Sequence, residues 1–313
     1  MIAWMRTLKV ILTSRTLKQK MTFGESDSLN ISITGTKQLS ALNDRFTIDI
    51  DNLTYKEVVQ IITGKFYDIE IWAGYKSASS NMIFKGEVMY VWNKPNTDRT
   101  TTVKILAASK LVAQFGQKRL NIGMQSGINA WSMLKFVTSR AGIQNSYIDE
   151  TFKHKILTES TNESKTVASI IDSFCNSEAY LVQSDSAEGN VLSIWDASRK
   201  DLRAMTLTSD NIILTNGYPR MTSDGLSLTV MPTFNFKIGD TIALDNSLID
   251  ISGSSAEDIS KNLAYKLDEN GQYIIWQLDY SLQNRNSDFS INILAKAKSL
   301  YKKIGLNVYQ EGE

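Results

Sequence analysis

Two stretches of this chain are written to nearly the same pattern, and both read as long β-hairpins. From Phe84 to Lys110 the sequence is FKGEVMYVWNKPNTDRTTTVKILAASK, and from Gly271 to Lys298 it is GQYIIWQLDYSLQNRNSDFSINILAKAK. In the first, Val88, Tyr90 and Trp92 alternate with Glu87, Met89 and Val91, the two-residue period of a strand with unlike faces. Asn93, Pro95, Asn96 and Asp98 supply the turn. In the second, Gly271 stands where Gly86 does, a strand runs to Tyr280, and Arg285 in the turn answers Arg99. The return strands end alike, Val103–Ala107 against Ile291–Ala295.

The match extends upstream. The alternating strand Phe46–Ile50 has a counterpart in Leu226–Val230, and Tyr67–Trp72 has one in Asp240–Leu244. Ile61-Ile62-Thr63-Gly64 and Phe236-Lys237-Ile238-Gly239 stand before the latter pair. One β-unit is therefore expected to be used twice, with something different between.

Residues 1–110 read as six or seven short strands, the pattern of a sandwich or barrel. The exception is Thr54–Ile62. Thr54 and Glu57 form a capping-box spacing, and Val58, Ile61 and Ile62 make an apolar stripe, so a helix is expected to plug one end of the strands. Residues 111–205 change character. A helix is expected from Ser126, with Ile128, Trp131, Leu134 and Val137 on one face and Gly142 to stop it. A polar loop over Thr158–Glu163 leads to a second helix from about Ser164, carrying Val167, Ile170, Ile171 and Phe174. Strands at Ala179–Gln183 and Val191–Trp195 complete a small α+β module. The β-pattern resumes over 206–313, with a charged insertion near 254–266.

With 313 residues the chain has room for two or three domains. A net charge of +1, with acids and bases mixed, lacks the basic tract of a dedicated nucleic-acid binder. The single cysteine, Cys175, excludes an internal disulfide. No run approaches the roughly 20 apolar residues of a membrane span, and the N-terminal segment, broken by Arg6 and Lys9, does not read as a secretion signal.

Catalytic chemistry is hard to find. His154 is the one histidine, flanked by Lys153 and Lys155, so no histidine cluster exists for a metal or a triad. Cys175 falls on an apolar helix stripe, where a thiol behaves as a small hydrophobe. Asp49/Asp51 and Asp68/Glu70 each share one face of a strand; acid–base or metal chemistry would use such a pair, but the simpler reading is the wet face of a half-buried strand. Gly64-Lys65 lacks the spacing of a phosphate loop, and Asp224-Gly225 is turn chemistry. Trp72, Tyr75, Tyr90 and Trp92 are either a stacking platform or cross-strand core pairs. No catalytic, cofactor-binding or metal-binding residue is assigned.

In order and wording the chain resembles the baseplate hub proteins of contractile-tailed phages and related particles, the late-control-protein type. The resemblance is carried by the Phe46 strand, the Ile62-Thr63-Gly64 ending, the strand closing on Ala73-Gly74-Tyr75, and Ile83-Phe84-Lys85-Gly86-Glu87-Val88 with its Thr-rich return. Later it rests on Ile213-Leu214-Thr215-Asn216-Gly217-Tyr218-Pro219, Pro232, the Lys237–Asp240 approach and the final hairpin. The resemblance covers about residues 20–300; the 254–266 segment has no firm counterpart.

The resemblance implies a mainly β fold with an α+β insert: two tail-tube-like β-barrel domains separated by a small α+β module. It implies a non-enzymatic virion protein of the tail baseplate, made in the host cytoplasm. The expected assembly is a homotrimer joining a six-fold tail tube, or a tube-initiator protein, to a three-fold central spike. Tape measure and baseplate wedge proteins are further expected neighbours, with no membrane, no specific nucleic acid (DNA only passing through the lumen) and no cofactor. Three alternatives stay open: the tail tip of a non-contractile tail, a glycan- or receptor-binding β-protein, and a hydrolase built on Asp68 and Glu70.

Overall fold

The computed structural model describes residues 5–24, 29–38, 44–76, 80–95, 101–109, 118–143, 145–157, 160–175, 180–185, 191–196, 204–208, 212, 217–233, 235–251, 267–285, 288–301 and 309–311. The expected insertion near 254–266, Arg99 and the side chain of Cys175 lie outside the described residues.

The fold is mainly β with a few helices. The first β-unit contains β1 (Arg6–Ser14), β2 (Gln19–Phe23), β3 (Ile31–Gln38), β4 (Arg45–Asp51), helix α1 (Tyr55–Thr63), β5 (Phe66–Tyr75), β6 (Asn81–Pro95) and β7 (Thr101–Ala108). Its strands are ordered β3-β4-β7-β6-β5-β1-β2. The capping box of α1 is present: Thr54 accepts from the Glu57 N–H at 3.3 Å, and the Glu57 carboxylate accepts from the Thr54 N–H at 2.8 Å. Val58 and Ile61 enter the core as expected, but Ile62 is 51% exposed.

The middle module contains β8 (Arg119–Met124), α2 (Ala130–Ala141), β9 (Asn145–Ile148), β10 (Lys155–Leu157), β11 (Thr161–Thr166), α3 (Val167–Cys175), β12 (Tyr180–Asp185) and β13 (Val191–Asp196). It has its own apolar cluster, including Leu134, Val137, Phe152, Val167, Ile171 and Ile194. Helix α2 starts at Ala130 rather than Ser126, because the Asn129 side chain caps it by accepting from the Ser132 N–H at 2.8 Å. Gly142 ends α2 in the left-handed region at φ 84°. The expected loop over Thr158–Glu163 is corrected in part: Thr161–Thr166 is a strand, antiparallel to β8, and α3 begins only at Val167.

The second β-unit contains β14 (Ala204–Thr206), β15 (Arg220–Thr222), β16 (Gly225–Val230), β17 (Thr241–Ala243), β18 (Gln272–Gln283) and β19 (Phe289–Ala297). Its registers repeat those of the first unit. Phe46 pairs with Ala107 and Ile48 with Ile105; correspondingly Leu226 pairs with Ala295 and Leu228 with Ile293. Asp68–Glu87 and Ile69–Gly86 answer Thr241–Ile274 and Ile242–Tyr273. Both hairpins slip register at one place, between Val88 and Tyr90 and between Ile275 and Gln277, so Met89 and Trp276 are equivalent bulge residues. This alignment corrects one detail of the sequence match: the partner of Gly86 is Tyr273, and Gly271 answers Phe84.

The bulge also corrects the expected faces of β6. It reverses the alternation after Val88, so Val88 and Val91 both pack against the core while Tyr90 (64%) and Trp92 (41%) are exposed.

Candidate assembly surface: the joint between the β-units and the strand edges

The two units are not separate sheets. β18 outlasts its pairing with β17, and its far half pairs antiparallel with β3 of the first unit, from Gln277 opposite Gln38 to Gln283 opposite Ser32. Among the described residues the result is one sheet of 13 strands, its path running from β15 to β2, with one apolar cluster through both units.

Side chains lock this joint. The Phe46 ring lies 4.3 Å from Phe84 within the first unit and 5.3 Å from Tyr280 of the second. Tyr75 meets Phe289 edge-on at 5.2 Å. Leu278, Tyr280 and Leu282, at every second position of β18, are buried. On the other face, the Thr36 hydroxyl donates to Asp279 at 2.8 Å. Asn284 closes the end: its backbone N–H donates to the Ile31 carbonyl (3.2 Å), its side-chain oxygen accepts from the Ile31 N–H (2.9 Å), and its amide donates to Leu29 O (2.9 Å).

Asp44 lies beside the joint. It is buried, its carboxylate accepts from the Gln38 N–H at 3.1 Å, and its backbone carbonyl accepts from the Ser109 N–H at 3.1 Å. Burial pushes its carboxyl up to about 7, against the pull of Lys37 and the Gln38 N–H. Burial likewise raises the Tyr280 hydroxyl and lowers the Lys37 ammonium.

The paired carboxylates have cross-strand partners. Asp49 is 3.1 Å from Lys104, and Asp51 accepts from Asn30 (2.8 Å) and Thr102 (2.6 Å). Arg15 clasps Asp68 through two donors at 2.7 and 2.5 Å and reaches Glu87 at 2.6 Å, while Glu70 pairs with Lys85 at 3.3 Å. These hydrogen bonds hold the Arg15 guanidinium protonated well above its ordinary range. His154 is exposed at the end of a short 3-10 helix. Among the described residues no three His, Cys, Asp or Glu converge on a metal position. Gly64 closes α1 and Lys65 follows at φ 50°, while Gly225, at φ 120°, starts β16 just after the β15–β16 turn.

The four aromatics do not share one environment. Tyr75 is buried and Trp72 is covered by Lys9 at 5.2 Å, whereas Tyr90 and Trp92 are exposed on β6. No described helix is long and apolar enough to cross a membrane.

No protein-family model matches the chain, and a comparison with curated proteins yields no match. Solved structures do resemble it. The 43 kDa tail protein of prophage MuSo2 from Shewanella oneidensis superposes with a TM-score of 0.58 at 10% identity, over 94% of this chain and 98% of that one. The tail protein from Neisseria meningitidis MC58 superposes with a TM-score of 0.57 at 10% identity, over 95% and 98%. The PdpA–VgrG complex of Francisella, in its half-lidded form, gives 0.50 at 9% identity, over all of this chain but 60% of that one. The chain has the fold of these two tail proteins.

Proposed function

We propose that this chain is a structural protein of a tail baseplate, the hub between a six-fold tail tube and a three-fold central spike. The observation that carries the reading is the register-for-register repeat of one β-unit within a single chain, the two copies being joined edge to edge through β18 and β3. Three such chains in a closed ring present six similar units to a tube and three identical chains to a spike. The likeness in fold to two tail proteins, one of them from a prophage, over almost their whole length supports the same reading.

The expected partners are two further copies of the chain, a central spike protein, and a tail tube or tube-initiator protein. Tape measure and wedge proteins lie further out. The acids of β4 and β5, each engaged by a neighbouring side chain, support a role without catalysis. The tip of a non-contractile tail would use the same units, and the choice between the two rests on which tube and spike the chain binds. The deciding experiment is light scattering of the purified chain, alone and co-expressed with a spike protein, followed by negative-stain imaging. A trimeric ring with an open centre is expected. A compact monomer that also ignores the spike overturns the reading.

A further inference from the structure

We infer that the edge of β6 from Val91 to Lys94 is a strand-pairing site for a second copy of this chain, and that its partner is the outer edge of β15. The inference rests on the ring reading above and names its interface.

The unit repeat makes β6 and β18 equivalent residue by residue: Val91 answers Leu278, Asn93 answers Tyr280, and Lys94 answers Ser281. In β18 this length is covered by β3. In β6, among the described residues, no strand pairs beyond Glu87 on the side away from β7, and Trp92, Asn93 and Lys94 are exposed. An open row of strand donors and acceptors is a template for another strand.

The hydrogen-bonding phase follows from the joint. Asn284 donates to Ile31 while Gln283 donates within its own hairpin to Asp288, so the N–H groups of Leu282, Tyr280 and Leu278 point to β3. Their equivalents in β6 are Pro95, Asn93 and Val91, leaving the Val91 and Asn93 N–H groups as donors on the open side.

The matching acceptor edge is also identified by the repeat. Gly35 pairs with Phe46 as Met221 pairs with Leu226, so β15 is the counterpart of β3. The interchain register then sets Asn93 against Met221 where the joint sets Tyr280 against Gly35. Lys94 falls opposite Arg220, as Ser281 falls opposite Thr34 in the joint. Within the single chain, Asp250 covers part of this edge: the Met221 N–H donates to its carbonyl at 3.1 Å, and its own N–H donates to Pro219 O at 2.6 Å. Pairing exchanges these two bonds for a strand ladder.

The test uses the full chain. Asn93→Pro removes one open-side donor, and proline is tolerated where a strand N–H faces solvent. A second variant, Lys94→Cys with Arg220→Cys in a Cys175→Ala background, places thiols at a non-hydrogen-bonded cross-strand position, where side chains approach most closely. The expected result is an oligomeric wild type, a monomeric Asn93→Pro with unchanged circular dichroism and melting, and disulfide-linked oligomers of the cysteine variant on a non-reducing gel. A ring that still forms with Asn93→Pro and gives no cross-link overturns the edge assignment and leaves the hub reading standing. A wild type that stays monomeric to its solubility limit, with or without a spike protein, overturns both.

Discussion

Gly35 of β3 stands opposite Tyr280 of β18, and the space where a side chain of Gly35 would lie is filled by the ring of Phe46. A Cβ at residue 35 would sit 2.2 Å from the Phe46 ring, which is itself held between Phe84 and Tyr280. The ring cannot retreat without opening the joint. Gly35→Val is therefore expected to destabilise the chain by about 1–3 kcal/mol through overpacking, read as a lower urea midpoint. A midpoint unchanged by Gly35→Val contradicts this packing.

Gly86 and Gly271 are both required by facing backbone, and Gly86 by the Phe84 ring as well. A Cβ at Gly86 would lie 2.2 Å from the carbonyl oxygen of Ala108, and one at Gly271, where φ is 63°, would lie 2.3 Å from that of Leu244. Backbone on the facing strand has less room to yield than a side-chain end. Gly86→Val and Gly271→Val are each expected to lower the yield of folded protein and to cost roughly 2 kcal/mol or more in the fraction that folds. Thermal melts of the two variants check this, and wild-type melting of both refutes it.

Asp44 predicts a pH dependence of definite sign. An acid whose folded pKa lies near 7, above an unfolded value of about 4, holds its proton more tightly in the folded chain. Below about pH 4 both states are protonated and the group contributes nothing. From there to about 7 the unfolded chain alone ionises, so stability falls as pH rises. The groups bearing on Asp44 are Lys37, Tyr280 and, through Lys37, Lys237. Asp44→Asn is expected to match wild type at pH 4 and to exceed it at pH 8 by roughly 1–3 kcal/mol in urea titrations. Equal midpoints at pH 8 would rule out a raised Asp44.

Asp268 behaves oppositely. Burial raises its pKa, but the backbone N–H groups of Ser299 (3.0 Å), Gln272 (3.1 Å) and Asn270 (3.0 Å) outweigh that effect and hold it below its ordinary value. Its stabilisation is present above the unfolded pKa of about 4 and is lost as pH falls through the lower folded value. Asp268→Ala leaves three donors without this acceptor and is expected to cost roughly 2–3 kcal/mol at pH 7, and less in acid once the folded chain has protonated the carboxylate too. Equal losses at neutral and acid pH would show that the carboxylate charge is not what matters.

Much of this architecture is written locally. The hairpin repeat, the Thr54–Glu57 cap and the Gly142 stop are each specified within a few residues, and the structure has all of them. Features that depend on a distant partner were not legible. β8 and β11 pair through the sequences RLNIGM and TNESKT, the second of which has no apolar alternation to announce a strand. The bulge at Met89 moves Val91 inward and Tyr90 outward, although strict alternation groups Val88 with Tyr90. The joint left a trace only in hindsight: β18 carries Leu278, Tyr280 and Leu282 where β6 carries Val91, Asn93 and Pro95, an apolar strand end with more to cover it. The acids of β4 and β5 take partners from segments far apart in sequence, such as Arg15, just past the end of β1, for Asp68 and Lys104 of β7 for Asp49.

The β18–β3 pairing has a consequence for counting. Because it is made inside one polypeptide, its two edges meet at an effective concentration set by the chain rather than by the solution. Any closed assembly of this protein therefore holds an even number of β-units whatever its number of subunits, and half of its seams exist before two chains have ever collided.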